Sequence, residues 1–529
     1  MKIKCFLFVA AAFALAQSCR TNDVDAKLNA QADSEYLLPI HPGSADGSVK
    51  FWNEYATKFI YAPAFDFKTV EGADSYRFTI ISADSLSWSF TASEPTAALS
   101  PVWNDVKVGD VTLTVEALDA EGQAIAVVGE REFRRDYPFH GPYRQNLYSY
   151  DECIRRGLSY VHNMPCIKYW QDHDTPDMSN EYNSYLCKIM GNSIRVELLY
   201  AEAFPEHREA VLQRCRNIAS FIISQSEPAD APLAYFPPTY YGSFKAAANS
   251  ENQGKTMAME AIEVVNAFFD LYKACGDRQY FDYALHILDT YRKIQRPDGS
   301  FPVKMDLKTG EPVNDANGSP HTIFMALSRL EKEFNVFDYK DFRESIEKWV
   351  AEIEIRSFNW NGQFEDTAVE GVKPYENMTN CTAAPVAIYL MSKDHPSESE
   401  LKTAEELVRF CEDQFVYWDS ERVNGVPVTN TPCAFEQYKW KEPTDASTSY
   451  LVSCFALMYK HTGDELWLAK ANALAANITF MQNKVTGMIP TWGWRNSRLH
   501  NTDADRFWIN CTRHSVATLK LFRQITNQE

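Results

Sequence analysis

The chain is 529 residues long, with 45% hydrophobic, 13% aromatic and 23% charged residues, an ordinary globular composition at a length that implies more than one domain. It excludes a disordered chain, a collagen and a small disulfide scaffold. Against 71 Asp and Glu stand 52 Lys and Arg, a net charge of -19, which counts against nucleic acid or anionic lipid headgroups as partners and requires local basic groups for any anionic ligand.

The first residues read as an export signal. Lys2 and Lys4 precede an apolar run, Phe6 to Ala16, that is too short to span a bilayer. Ala16-Gln17-Ser18-Cys19 resembles a loose bacterial lipobox. That resemblance implies cleavage after Ser18, lipid attachment at Cys19 and, with Arg20 next, an outer-membrane address facing the periplasm or the cell surface; plain cleavage near Ser18 is the other reading. No later stretch is long and apolar enough for a membrane helix, so the membrane is reached through the anchor alone. Beyond Cys5 and Cys19, the cysteines show no CxxC spacing for a zinc ribbon or redox motif. Cys153, Cys187, Cys215, Cys275, Cys411 and Cys454 fit as small core residues, with disulfides among the rest left open.

Residues 19–48 are polar and read as a flexible tether. Over 49–137, alternating runs such as Tyr76-Arg77-Phe78-Thr79-Ile80-Ile81 and Val111-Thr112-Leu113-Thr114-Val115, separated by Gly and Asp turns, predict a small antiparallel β-sandwich. Phrases such as Val70-Glu71-Gly72-Ala73-Asp74-Ser75-Tyr76 resemble fibronectin type III or immunoglobulin-like modules of bacterial glycan-degrading lipoproteins, which implies a spacer first and a carbohydrate-binding module second.

Residues 138–529 switch to a 3.6-residue period and carry an internal repeat. Leu271-Tyr272, Gly276-Asp277, Tyr280, Ala284, Gln295, Gly299 and Phe301-Pro302 line up with Met458-Tyr459, Gly463-Asp464, Trp467, Ala471, Gln482, Gly487 and Ile489-Pro490. Each copy predicts a helix, a tight turn, a second helix and an extended exit. Helices are predicted near 148–163, 180–203, 207–226, 255–275, 278–295, 319–334, 339–356, 379–394, 397–416, 444–461, 464–482 and 507–525. Short and long connections alternate, so an up-and-down closed array puts every long loop on one face, and the helices that follow those loops are the inner ones. The chain is thus mainly α, and the arrangement resembles the (α/α)6 toroid of the six-hairpin glycosidase superfamily; an open solenoid is the alternative.

A ring of helix N-termini favours anionic groups, and its loops hold aromatics suited to sugar faces: Trp170, Tyr235, Tyr240, Tyr241, Phe301, Trp360, Tyr375, Tyr438, Trp440, Trp492, Trp494 and Trp508. About half of these are expected to anchor loops. Glu436, between aromatic and apolar neighbours with no helix to cap, is the first candidate acid. Asp315, Asp445 and Glu376 follow, although Asp445 can cap a helix and Asp315 can serve a turn. Candidate substrate contacts are Tyr240, Glu251, Lys304, His321, Trp440, Trp492, Trp494, Arg495, Arg513 and His514, the arginines suiting a uronate carboxylate.

Gln295-Arg296-Pro297-Asp298-Gly299-Ser300-Phe301-Pro302 and Trp492-Gly493-Trp494 resemble hairpin exits of the unsaturated-glucuronyl hydrolase and β-glucuronidase branches. The resemblance implies removal of a terminal, unsaturated or saturated, glucuronic acid from an oligosaccharide or polysaccharide. Without an adjacent Asp-Asp or Cys-Cys pair, the endo-mannanase and cysteine-nucleophile types of toroid are disfavoured. Two other readings stay open: a lyase cleaving uronate glycans by β-elimination, with His321, His514, Tyr240, Tyr375 and Arg495 as candidates, and a non-catalytic glycan-binding lipoprotein. Nothing in the sequence calls for a cofactor or metal, and a homo-oligomer is neither required nor excluded.

Overall fold

The computed structural model describes residues 24–243, 252–362, 372–424, 426–493 and 507–527. The predicted helices are all present: α1 (Tyr150–His162), α2 (Gly191–Ala203), α3 (Arg208–Gln225), α4 (Ala261–Cys275), α5 (Arg278–Ile294), α6 (His321–Phe334), α7 (Lys340–Trp349), α8 (Asn380–Met391), α9 (Glu398–Phe415), α10 (Asp445–Thr462), α11 (Glu465–Met481) and α12 (Ile509–Thr526). Two begin later than predicted. The chain before α2 forms a 3-10 turn, Glu181–Ser184, and a π-helical turn, Leu186–Met190; before α4, Lys255–Met257 pairs as a strand with Lys304–Asp306.

The even-numbered helices form the inner layer. Each packs on the next, from α2 through α4, α6, α8 and α10 to α12, and α12 packs back on α2. The ring is closed, and the solenoid alternative falls. Outer helices α3, α5, α7, α9 and α11 each pair with the inner helix before them, while α1 pairs with α12, so the first and last helices make the sixth hairpin. Arg523 and Asp151 join them at 2.7 Å, with Tyr150 edge-on to Phe522.

The sequence repeat marks how one hairpin meets the next. Gly276 and Gly463 end α4 and α10 in the left-handed region, and Asp277 and Asp464 cap the following helices through Gln279 N and Leu466 N. In the exits, Gln295 Nε2 donates to Gly299 O and Ser345 Oγ of α7. Gln482 Nε2 likewise donates to Gly487 O and Cys153 O of α1. Gly299 (φ 94°) and Gly487 (φ 83°) abut Ser345 O and Arg156 O, where a Cβ would stand 3.0 and 2.6 Å away. The second copy therefore performs the closing contact, against the chain's own first outer helix.

The N-terminal region differs from expectation in two ways. Over the described residues, 49–137 hold a single five-stranded sheet rather than a two-sheet sandwich: β1 (Lys58–Phe59), β2 (Ser75–Ser82), β3 (Ser87–Ala92), β4 (Gly109–Leu118) and β5 (Ala124–Arg135), ordered β1-β5-β4-β2-β3 and antiparallel except for β1 beside β5. Its inner face buries Phe78, Ile80, Leu113 and Val115, and irregular chain carrying Phe65, Leu99 and Trp103 joins the same core where a second sheet was expected. Residues 24–48, expected as tether, are also packed: 24–35 form a helix whose Leu28 and Ala32, with Tyr36 just past its end, join the core at four-residue spacing. Glu412 of α9, fully buried, accepts from Tyr36 Oη (2.8 Å), Tyr61 Oη (2.9 Å), Trp418 Nε1 (3.1 Å) and Lys470 Nζ (2.8 Å), tying the N-terminal region to α9 and α11.

Gly487→Ala is expected to lower stability by about 2 kcal/mol or more, since it combines a left-handed φ with a backbone clash. Gly463→Ala, equally left-handed but with open space around it, is expected to cost about 1 kcal/mol. Thermal unfolding of the two variants checks this, and equal shifts would refute the closing role of Gly487.

Candidate active site

Because each inner helix follows a long loop, the six N-terminal turns meet on the loop face. Lys188 of the π-helical turn, Asn192 and Arg195 of α2, Glu263 of α4, His321 of α6, Cys381 of α8, Tyr450 of α10, and Arg513 with His514 of α12 converge there. Asn192 links the seam where the ring closes. It accepts from Arg513 Nε at 3.0 Å and donates to Glu263 Oε2 at 3.2 Å. Glu263 Oε2 lies 3.5 Å from Arg195 and 3.8 Å from Arg513. Arg513 also lies 3.1 Å from His514 Nε2, and the His514 ring centroid is 4.8 Å from that of Tyr450.

Glu436 enters from the loop before α10. Cys433–Phe435 is the middle strand between Val416–Tyr417 and Pro443–Thr444. The Glu436 amide donates to Glu442 O (3.1 Å), and its carbonyl accepts from Thr379 Oγ1 (2.8 Å) and Asn380 N (3.2 Å) at the start of α8. Its carboxylate acts on Cys381, Tyr450 and Cys511, and Lys188 acts on both of those cysteines and on His514. Glu436, Lys188, Glu263, Tyr450 and His514 are thus linked electrostatically across the inner helices.

Burial dominates the electrostatics of these groups. It pushes the Tyr450 hydroxyl well up, with Glu263 and Glu436 adding to it and Arg513 opposing. Burial lowers His321 to about 4 against the pull of Glu263, and lowers His514 well below its usual range, with Arg513, Arg195 and Lys188 adding. Both imidazoles are neutral at neutral pH. Arg513 is lowered to about 10 by burial and Arg195, which leaves it charged. Along the rim, Tyr182 and Tyr185 pack on Trp508 at 4.6 and 5.1 Å, Tyr240 lies 5.7 Å from Tyr185, and Lys188 Nζ sits 4.8 Å over the Trp508 ring.

Of the predicted residues, Glu436, His321, Arg513 and His514 come together, and Tyr240 joins the rim. Asp445 sits behind them, 5% exposed, at the first turn of α10. It is not the cap, which is Thr444 through Ser447 N. One Asp445 oxygen accepts from Ser515 Oγ at 3.0 Å, and burial raises its pKa to about 8, so it is a neutral acid at neutral pH. Asp315 is exposed in a turn whose carbonyl accepts from Arg296, and Glu376 accepts from Lys373 N in another turn; nothing described joins either to the cluster. Lys304 is buried in its strand, donating to Asn252 at 3.0 Å. Trp440 is 52% exposed, and Trp492 is half-buried beside Thr444. Trp170, Phe301, Trp360 and Tyr375 are core, Tyr375 Oη donating to Ser357 O. Glu251, Trp494, Arg495 and Cys19 lie outside the described residues.

The sequence reading missed Lys188, Asn192, Arg195, Glu263 and Tyr450. They lie just before or within the first two turns of inner helices, and two of those helices, α2 and α4, begin later than the sequence predicted, which hid the position of the residues there. Among the described residues, no group of three or more His, Cys, Asp or Glu side chains can hold a metal ion, no helix is long and apolar enough to cross a membrane, and the ten cysteines are free thiols.

No protein-family model and no curated protein matches the chain. Among solved structures it is similar to a family 76 glycoside hydrolase from a bovine Bacteroides thetaiotaomicron strain (10% identity, covering 88% of this chain and 100% of that one, TM-score 0.45). It is similar also to cellobiose 2-epimerase from Spirochaeta thermophila (10% identity, 71% and 98%, TM-score 0.49) and to unsaturated glucuronyl hydrolase from Streptococcus agalactiae (8% identity, 74% and 94%, TM-score 0.44). All three are six-hairpin glycosidase folds.

Because folding raises the Asp445 pKa, the folded state holds a proton that the unfolded chain releases above about pH 4. Stability contributed at this position is therefore expected to fall as pH rises from about 4 to about 8. Asp445→Asn is expected to remove that slope, gaining on the order of 3 kcal/mol over wild type at the alkaline end and little at the acid end. Denaturant unfolding across that range measures it, and parallel pH curves would refute it.

Proposed function

We propose that this protein is a glycoside hydrolase that removes a terminal uronic acid, saturated or unsaturated, from a glycan. The observation that carries the reading is the placement of two carboxylates on the loop face: Glu436 directly precedes α10, and Glu263 stands in the first turn of α4, the helix opposite α10 in the closed ring. Paired carboxylates flanking a glycosidic bond are what hydrolysis requires. Glu436, pinned by its backbone and free of any capping duty, protonates the leaving oxygen. Glu263, paired with Arg195 and Arg513, serves the opposite face. Lys188 and Arg513 suit the uronate carboxylate, and the rim of Tyr182, Tyr185, Tyr240 and Trp508 suits sugar faces. The similarity to an unsaturated glucuronyl hydrolase agrees with this. In this reading the chain is exported, lipidated at Cys19 and held at the outer membrane, 138–529 being the catalytic unit and 49–137 its spacer.

A second reading, β-elimination, is favoured by the neutral His514 beside Tyr450, with Arg513 and Asn192 placed to neutralise a uronate. Absorbance of the conjugated C4–C5 double bond separates the two. On lyase-generated oligosaccharides the hydrolase consumes absorbance; on saturated ones it releases uronic acid without any change. Glu436→Gln and Glu263→Gln are each expected to lower kcat by about a thousandfold or more. An absorbance gain on saturated polymer, with both variants active and Tyr450→Phe dead, would establish the lyase, and silence on every uronate glycan would leave a binding protein.

A further inference from the structure

A cavity of about 420 Å³ lies on the outer wall of the toroid, away from the loop-face cluster. It exists because α11 presents Ala469, Ala473 and Ala476 along one face, and these leave room beneath the N-terminal helix and the 139–146 connection. Leu28 and Phe139 complete an apolar floor, and the polar lining is mostly neutral amides: Asn29, Gln145, Asn146 and Asn472. Asn29 spends its amide nitrogen on Gly141 O at 2.8 Å, while its Oδ1 is buried without a hydrogen-bond partner.

We propose that this cavity is a second glycan-binding site that takes an uncharged sugar unit. The alanine strip accepts the apolar face of a pyranose, and the amides of Gln145, Asn146 and Asn472, which stand at the cavity surface, offer both donors and acceptors to its hydroxyls. An anionic ligand is disfavoured, since Asp25 stands in the lining and the one cation there, Arg144, lies 3.9 Å over the Phe480 ring and donates to Thr431 O. The chain would thus hold a neutral stretch of a polysaccharide on its wall while the loop face works on an acidic end, adding avidity without chemistry. The inference rests on the lining and does not require the proposed hydrolysis.

The test is direct binding to the full exported chain, followed by the fluorescence of Trp418, whose ring lies 5.0 Å from Phe139 and 5.6 Å from Tyr143, and by calorimetry. The probes are cellobiose, xylobiose, mannobiose and maltose. Saturable binding of at least one is expected, weakened tenfold or more by Asn472→Ala with Gln145→Ala and abolished by Ala469→Phe, which fills the floor. Glu436→Gln is expected to bind the same probe as wild type does, whatever its activity. Absence of saturable binding to all four, or binding that the cavity variants leave unchanged, would overturn the proposal.

Discussion

Everything in this molecule depends on α12 seating against α2. A helical hairpin buries one face against its own partner and needs neighbours for the rest, and only closure gives both the first and the last hairpin such neighbours. Closure also makes the site, because the seam it creates brings Arg513 onto Asn192 and, through Asn192, onto Glu263. Small polar side chains let α12 approach α10 as well: Ser449 meets Ser515 at 3.1 Å and Ser453 meets Thr518 at 2.8 Å. An open array would leave Arg513 and Glu263 on separate ends.

The N-terminal region braces the same construction from outside. Glu412 has no solvent, and four donors from four separate segments replace it; removing any one leaves charge less compensated in a site where that is costly. Asp413 beside it accepts from the amides of Ile60 and Tyr61, and Lys58 Nζ reaches Val416 O at 2.9 Å. These contacts fall at the start of the chain segment that carries Glu436. The expected spacer is therefore also a support for one wall of the proposed site.

How much of this was legible in the sequence differs by level. Helix number, hairpin pairing and the inner layer followed from alternating loop lengths and from the Gly-Asp repeat, because short turns force antiparallel neighbours and a glycine in the left-handed region has a position only where a helix ends. The sheet count did not follow: alternation reports that one face is buried and says nothing of whether strands or irregular chain cover it. The tether failed because composition averages over a helix, and three residues, Leu28, Ala32 and Tyr36, suffice to dock one. At the site, Glu436 could be singled out since no local task explained it. Asp315 already had a turn to serve and lies in one, and Glu376, for which the sequence offered no local task, accepts from Lys373 N in another turn. Glu263 and Tyr450 looked like ordinary helix residues, their meaning arising only across the ring.

The charges along the inner wall fall into two groups at different depths. Arg195 is committed to Asp270 at 2.9 Å, and Asp270 to Arg329 at 2.6 Å. The two arginines hold Asp270 below its ordinary range against its burial, and Asp270 lies about 13 Å along α4 from the helix start. These ions satisfy one another below the site. Nearer the mouth the balance differs: the shortest ion pair described for Arg513 is the 3.8 Å approach to Glu263, which Arg195 also approaches. Lys188 stands over an aromatic ring beside them. Arg195 and Arg513 thus share one carboxylate, Glu263, at the seam where the ring closes, and burial makes that shared charge worth more than it would be in water.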